Sequence, residues 1–133
     1  MKVADMMRRS PVIADREFSI QQAAEIMRVQ QVDHLIVVDS ETSEIPVGIV
    51  TGRDLVIEIM AEKVGTEEVT VGDIMATDLY TASEDQEIGA ALLLMREHEV
   101  HHLPVIDADG QLSGVLFVYD LMDRLIDENA AIR

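Results

Sequence analysis

The chain has 133 residues, 26 of them acidic against 10 basic, for a formal charge of −16. Such a field repels nucleic-acid backbones and anionic bilayers, which argues against a nucleic-acid or membrane-surface partner. With 48% hydrophobic residues the chain nevertheless has the means to fold, unlike an acidic disordered tail.

There is no cysteine, so disulfides and thiolate metal sites are unavailable. Lys2, Asp5, Arg8 and Arg9 interrupt any apolar run at the start, and no segment reaches the roughly 18 apolar residues of a membrane span. A cytoplasmic setting is the expectation. Lys2 and Lys63 are the only lysines, and high acidity with so little lysine resembles proteins of salt-loving organisms, in which salt screens the self-repulsion.

Val3 to Met7 reads as a short helical turn, followed by a very short strand between Pro11 and Ala14. A helix comes next. Ser19 is placed to cap it, with Gln22 at the reciprocal capping-box position and Ile20, Ala23, Ala24, Ile26 and Met27 as its apolar stripe. Leu35 to Val38 is a continuous apolar run, as expected of a strand covered on both faces. Asp39 to Glu44 reads as a turn, Val47 to Val50 as a strand, and Gly52 to about Ala61 as a closing helix. A polar linker runs from Glu62 to Thr70.

The same series then recurs. Val71 to Met75 repeats the leading turn, and a short strand fits between Leu79 and Ala82. Ile88, Ala91, Leu92, Leu94 and Met95 repeat the helical stripe behind Glu87, a poorer cap than Ser19. Leu103 to Ile106 and Val115 to Val118 repeat the strands, a turn at Asp107 to Gly110 joins them, and Val118 to Asn129 closes the copy. Met7, Ile20 and Met27 lie 68 residues before Met75, Ile88 and Met95, while Gly48 and Asp54 lie 66 before Gly114 and Asp120. One unit has been made twice. Each half would be marginal alone, so the expectation is two β-α-β-β-α repeats, 1–66 and 67–133, sharing one core in a layered α/β fold. The eight methionines, Met27 and Met95 among them, read as adaptable core filler, not as a cofactor box.

Thr51-Gly52-Arg53-Asp54 lies where a strand turns into a helix. Free N–H groups there suit an anion, the Thr51 hydroxyl can join them, and the Asp54 carboxylate can accept hydrogen bonds from a vicinal diol such as ribose. Thr-x-x-Asp is also a capping-box variant, a purely structural reading. Recurrence shifts the weight: Asp120 repeats Asp54, but Phe117 replaces Thr51 and cannot cap, so capping alone does not explain both aspartates. His98, His101 and His102 invite a metal reading, which the expected helix end between them and the match of His102 to His34 oppose. Glu67 and Glu68 in the linker, and Glu41 and Glu44 on a turn, form no catalytic pair; there is no P-loop and no nucleophile with a matching base, so no enzyme is expected.

The duplicated segments His34-Leu35-Ile36-Val37-Val38-Asp39 and His102-Leu103-Pro104-Val105-Ile106-Asp107, with Gly48-Ile49-Val50-Thr51-Gly52-Arg53-Asp54-Leu55 and its counterpart from Gly114 to Leu121, resemble the CBS domain family. Its members occur as tandem pairs, or Bateman modules, and the resemblance spans Val3 to about Asn129. It implies a pseudo-twofold pair, helices covering small sheets, with clefts that accept AMP, ADP, ATP or S-adenosylmethionine. By that resemblance one cleft would draw on Ile49, Thr51, Asp54, Thr77, Ala82, Val100 and His101. Asp54 would hold the ribose, Thr51 the phosphate, and Ile49, Ala82 and Val100 the base. The second cleft would use Val115 and Asp120 with Arg9, Ala14, Val32 and Asp33, where Phe117 leaves a nucleoside or an empty site as the expectation. Asp33 near the first phosphate position disfavours ATP and favours AMP or a compound with an uncharged tail. The family also implies a regulatory module that biases a partner protein, and a homodimer through the apolar closing helices. The alternative is a structural or protein-interaction module without useful ligand binding.

Overall fold

The computed structural model describes residues 1–39 and 44–132. The expected turn at Asp39 to Glu44, and with it Glu41, therefore falls largely outside the described residues. The elements in chain order are α1 (Val3–Met6), β1 (Ile13–Asp15), α2 (Ile20–Gln30), β2 (His34–Val38), β3 (Pro46–Thr51) and α3 (Gly52–Asp54), which runs into a π-helix (Leu55–Met60). Then follow α4 (Val71–Ile74), β4 (Ala82–Ser83), α5 (Ile88–His98), β5 (His102–Ile106), β6 (Leu112–Phe117) and α6 (Val118–Ile132). Each copy is β-α-β-β-α. In each sheet the short first strand runs parallel to the central strand, and the last strand runs antiparallel to it.

The chain divides into two compact units: a first formed by Pro11–Leu79, and a second formed by Met1–Ser10 together with Tyr80–Arg133. Each leading turn thus belongs with the sheet of the other sequence repeat. In the first unit, the N–H groups of Val71 and Gly72 donate to the carbonyls of Phe18 and Arg16, both at 2.8 Å. In the second, Val3 and Ala4 donate to the carbonyls of Gln86 and Glu84 at 2.9 and 3.1 Å. Residues 3, 4, 84 and 86 lie 68 after or before their counterparts, so the duplication extends to individual hydrogen bonds.

Burial explains why the elements form where they do. In the first unit Ala23 and Met27 on α2 pack with Ala14, Leu35, Val37, Val50 and Val71. The second core joins Ala91 and Met95 on α5 to Val3, Met7, Ala82, Leu103, Val105, Leu116 and Leu121. All five residues of β2 are buried, as its unbroken apolar run implied. Ser19 caps α2 by accepting from the Gln22 N–H, and the Ser19 N–H in turn donates to Gln22 Oε1, whereas Glu87 makes no side-chain cap on α5. Glu87 binds Lys2 Nζ at 2.6 Å instead, and this contact pulls its carboxyl below the ordinary range. A depressed carboxyl keeps its contribution at neutral pH and loses it as pH falls through the folded value.

Two glycines let the leading segments dock. A Cβ on Gly114 would fall 2.6 Å from the Arg8 carbonyl oxygen and 2.9 Å from Met7 Sδ; one on Gly48 would fall 2.5 Å from Met75 Sδ and 2.9 Å from the Ala76 carbonyl oxygen. Gly89, early in α5, has nothing within 4 Å of that position. Gly114→Ala is expected to cost about 1 to 3 kcal/mol through overpacking against backbone. Gly89→Ala should stabilise by up to about 1 kcal/mol through helix propensity. Urea unfolding of the two variants measures both, and equal effects would contradict the docking role of Gly114.

Candidate functional site

The end of β3 and the start of α3 form a tight hydrogen-bonded junction. The Thr51 N–H donates to Asp54 Oδ2 at 2.8 Å, and the Asp54 N–H donates to Thr51 Oγ1 at 3.2 Å. The capping box anticipated as the structural reading is therefore formed. It does not exhaust either group. The Thr51 hydroxyl still has its own proton to donate, and Asp54 Oδ1 keeps its lone pairs. The Gly52 N–H donates to the Asp33 carbonyl at 2.8 Å, fixing the junction against the residue before β2. Asp33 itself points its carboxylate to solvent, 97% exposed, with Oδ1 3.4 Å from His34 Nδ1.

Ile49 and Ala76 exchange two backbone hydrogen bonds, at 3.1 and 2.9 Å. That ladder lays the segment after α4 along β3, and Thr77, exposed, follows Ala76 directly. Ile49, Thr51, Asp54 and Thr77 are thus all carried by the first unit. Among the described residues no cation pairs with Asp54.

The remaining candidates lie in the second unit. Ala82 is 1% exposed within its core, paired with Val105 across the β4–β5 ladder. Its methyl group packs in that core. Val100 and His101 line an open cavity of about 710 Å³ together with Leu92, Leu93, Arg96 and Val118. The His101 carbonyl accepts the Val118 N–H at 2.8 Å, matching the Asp33–Gly52 bond of the first unit.

Asp120 repeats Asp54 in position but not in partner. Phe117 offers no hydroxyl, and the Asp120 carboxylate is held by Arg8 through Nε to Oδ2 and Nη2 to Oδ1, both at 2.9 Å. The guanidinium lies 4.6 Å from the centre of the Phe117 ring. The hydrogen bond to Asp120 raises the pKa of Arg8 above its already high ordinary value, so the cation persists at any physiological pH. Of the other residues expected around Asp120, Val115 and Ala14 are buried in the cores of their own units, and Arg9 turns Nη2 toward the Ala4 carbonyl at 3.3 Å. Arg8 was missed as a site residue. The signal was present in the repeat, where Arg8 stands opposite Ala76 just as Phe117 stands opposite Thr51.

The histidines divide among separate ring contacts. His98 stacks on Tyr80 with centroids 3.7 Å apart, His101 meets Tyr119 at 6.1 Å, and His102 meets Phe117 at 6.2 Å. Among the described residues no group of three side chains is arranged to hold a metal, and no helix is long and apolar enough to cross a membrane.

The CBS domain model matches residues 3–61 and 71–127. An uncharacterized protein of Methanopyrus kandleri is 29% identical over 122 residues, 92% of this chain and 61% of that protein. An inosine-5'-monophosphate dehydrogenase of Chlorobaculum parvum is 33% identical over 119 residues, 87% of this chain but 23% of the enzyme. The chain thus spans less than two-thirds of either relative. Among solved structures, a CBS domain pair in complex with 5'-methylthioadenosine and S-adenosyl-L-methionine superposes with a TM-score of 0.80 at 26% identity, covering 97% of this chain and 98% of that one. A conserved protein of Pyrococcus horikoshii shares the fold at a TM-score of 0.80 and 23% identity, covering 92% and 90%.

Removing the Thr51 hydroxyl should cost about 1 kcal/mol through the lost cap. A Thr51→Val variant with an unchanged urea midpoint would show that the capping bond carries no stability.

Proposed function

The chain belongs to the CBS domain family, whose tandem pairs are regulatory modules and not catalysts, and on that premise we propose that it senses an AMP-like adenosine ligand. The observation that carries this reading is Asp54: a carboxylate set at a helix start, with Oδ1 outside the capping bond and no paired cation among the described residues. Ribose hydroxyls are suitable donors for that oxygen. The Thr51 hydroxyl proton is suited to a phosphate oxygen or another acceptor on the ligand, while Ile49 lies on the same strand and Thr77 follows the segment bonded to it. Val100 and His101 are contributors by family resemblance, and their part is open to test by His101→Ala.

The ligand of the solved pair at 26% identity supports an adenosine compound as the class. Within that class the exposed Asp33 carboxylate and the charge of −16 favour a ligand with little negative charge. AMP, 5'-methylthioadenosine and S-adenosylmethionine are therefore expected to bind more tightly than ADP or ATP. Isothermal calorimetry in low and high salt tests this order. Asp54→Ala should weaken binding by roughly 1.5 to 3 kcal/mol through the lost charged hydrogen bonds, with little change in fold. Absence of heat and of thermal shift with every compound at millimolar concentration would overturn the sensing role. It would favour an interaction module without a ligand, for which the engagement of Asp120 by Arg8 is the specific support.

We further propose that the module signals as a homodimer to an effector, either a separate protein or a further domain. Val56 and Met60 on the π-helix, and Met122, Leu125 and Ile126 on α6, are 48 to 72% exposed, more apolar surface than a solitary pair has use for. Light scattering should show a dimer at tens of micromolar, and the double substitution Leu125→Glu with Ile126→Glu should yield monomers. A wild-type monomer would refute this mode of association.

A further inference from the structure

We infer that Arg8 is a built-in gate that keeps the Asp120 position closed to diol ligands, so that the chain takes up one adenosine compound rather than two. The inference rests on the reading of Asp54 as a ribose-binding carboxylate, and it concerns the position in the second repeat that the same reading leaves unassigned.

Four observations carry it. Asp120 occupies the third residue of α6, as Asp54 does of α3, and each helix start is tied by an equivalent backbone bond, Val118 N–H to the His101 carbonyl and Gly52 N–H to the Asp33 carbonyl. The two carboxylates therefore sit in matching frames. Arg8 exchanges two backbone bonds with Val115, both 2.9 Å, as Ala76 does with Ile49, so the residue facing the helix start is an arginine in one unit and an alanine in the other. Finally, Phe117 stands where Thr51 stands, removing the hydroxyl and providing a ring face for the guanidinium at 4.6 Å.

The chemistry follows from occupancy. A side-on guanidinium takes one bond to each oxygen of Asp120, which is the arrangement a vicinal diol would have to make. A neutral diol must then displace a charge-assisted pair that is tethered in the same chain and held in place by the docked segment. Arg8 is 60% exposed and Asp120 is 23% exposed. The contact joins two matched replacements, Arg8 for Ala76 and Phe117 for Thr51, around a carboxylate that both repeats retain.

Calorimetry with adenosine and with 5'-methylthioadenosine, on wild type, Arg8→Ala and Arg8→Met, tests the gate. The methionine variant retains the apolar stem against Phe117, and thermal melts confirm that either variant is folded. One ligand per wild-type chain and two per Arg8 variant is the expected result, with the added site surviving in an Arg8→Met, Asp54→Ala double variant and lost on further Asp120→Ala substitution. One ligand for both wild type and variants overturns the gate while leaving the Asp54 reading intact. Two ligands on wild type also overturn it. No binding by wild type but one ligand on the Arg8 variants would sustain the gate and refute the Asp54 reading, and no binding by any of them would refute both.

Discussion

The structure depends on the close approach of a backbone segment to a glycine in the last strand of each sheet. Met7 and Arg8 lie over Gly114, and Met75 and Ala76 lie over Gly48, at distances that leave no room for a Cβ. Two reciprocal backbone bonds then fix the register, Arg8 with Val115 and Ala76 with Ile49. This contact brings the leading turn into the core of each unit through Val3 and Met7 in one and Val71 in the other. It also determines which residue stands beside the carboxylate at the start of the closing helix. The chemistry of the helix start is therefore set by a residue more than a hundred positions away in one unit and about twenty away in the other.

The two copies have used that position differently. In the first unit a threonine and an aspartate bond to each other, and the small Ala76 leaves the carboxylate without a cation among the described residues. In the second, the loss of the hydroxyl at Phe117 is accompanied by a guanidinium at Arg8 that binds the carboxylate and packs on the ring. The replacements depend on one another physically. An arginine beside Thr51 would lack the ring face, and a phenylalanine without the arginine would leave Asp120 with neither the cap partner nor the cation. Duplication supplied the frame, and a few side chains made the halves chemically unequal.

Much of this frame was legible in the sequence because it rests on local rules. The buried run of β2, the stripe of α2 and its Ser19–Gln22 cap depend on residues close together in the chain, and each formed as expected. The assignment of the leading turns was not legible, since periodicity tells which residues seek a core but not which of two similar cores receives them. The π-helix escaped for a related reason: Val56, Ile57, Ile59 and Met60 surround the segment with apolar side chains, so no narrow stripe identifies its period. The bonded pair of Thr51 and Asp54 was readable from a four-residue motif, whereas the pairing of Arg8 with Asp120 required knowing that residues 112 apart meet.

Charge gives the inequality of the halves a further consequence. The salt bridges formed by Lys2, Arg8 and Arg124 lie in the second unit, whereas His34 and Asp33 make a contact in the first. The carboxylate of Asp54 belongs to a strongly acidic chain and has no paired cation among the described residues. Salt shortens the reach of that field to about 8 to 10 Å at moderate ionic strength, but it does not screen a group in direct contact. Whatever approaches Asp54 closely must bring hydroxyl or N–H donors, or positive charge, to that carboxylate. A ligand with its negative charge placed nearby would work against the field of the acidic chain, so the composition and the geometry of α3 impose one requirement on the same position.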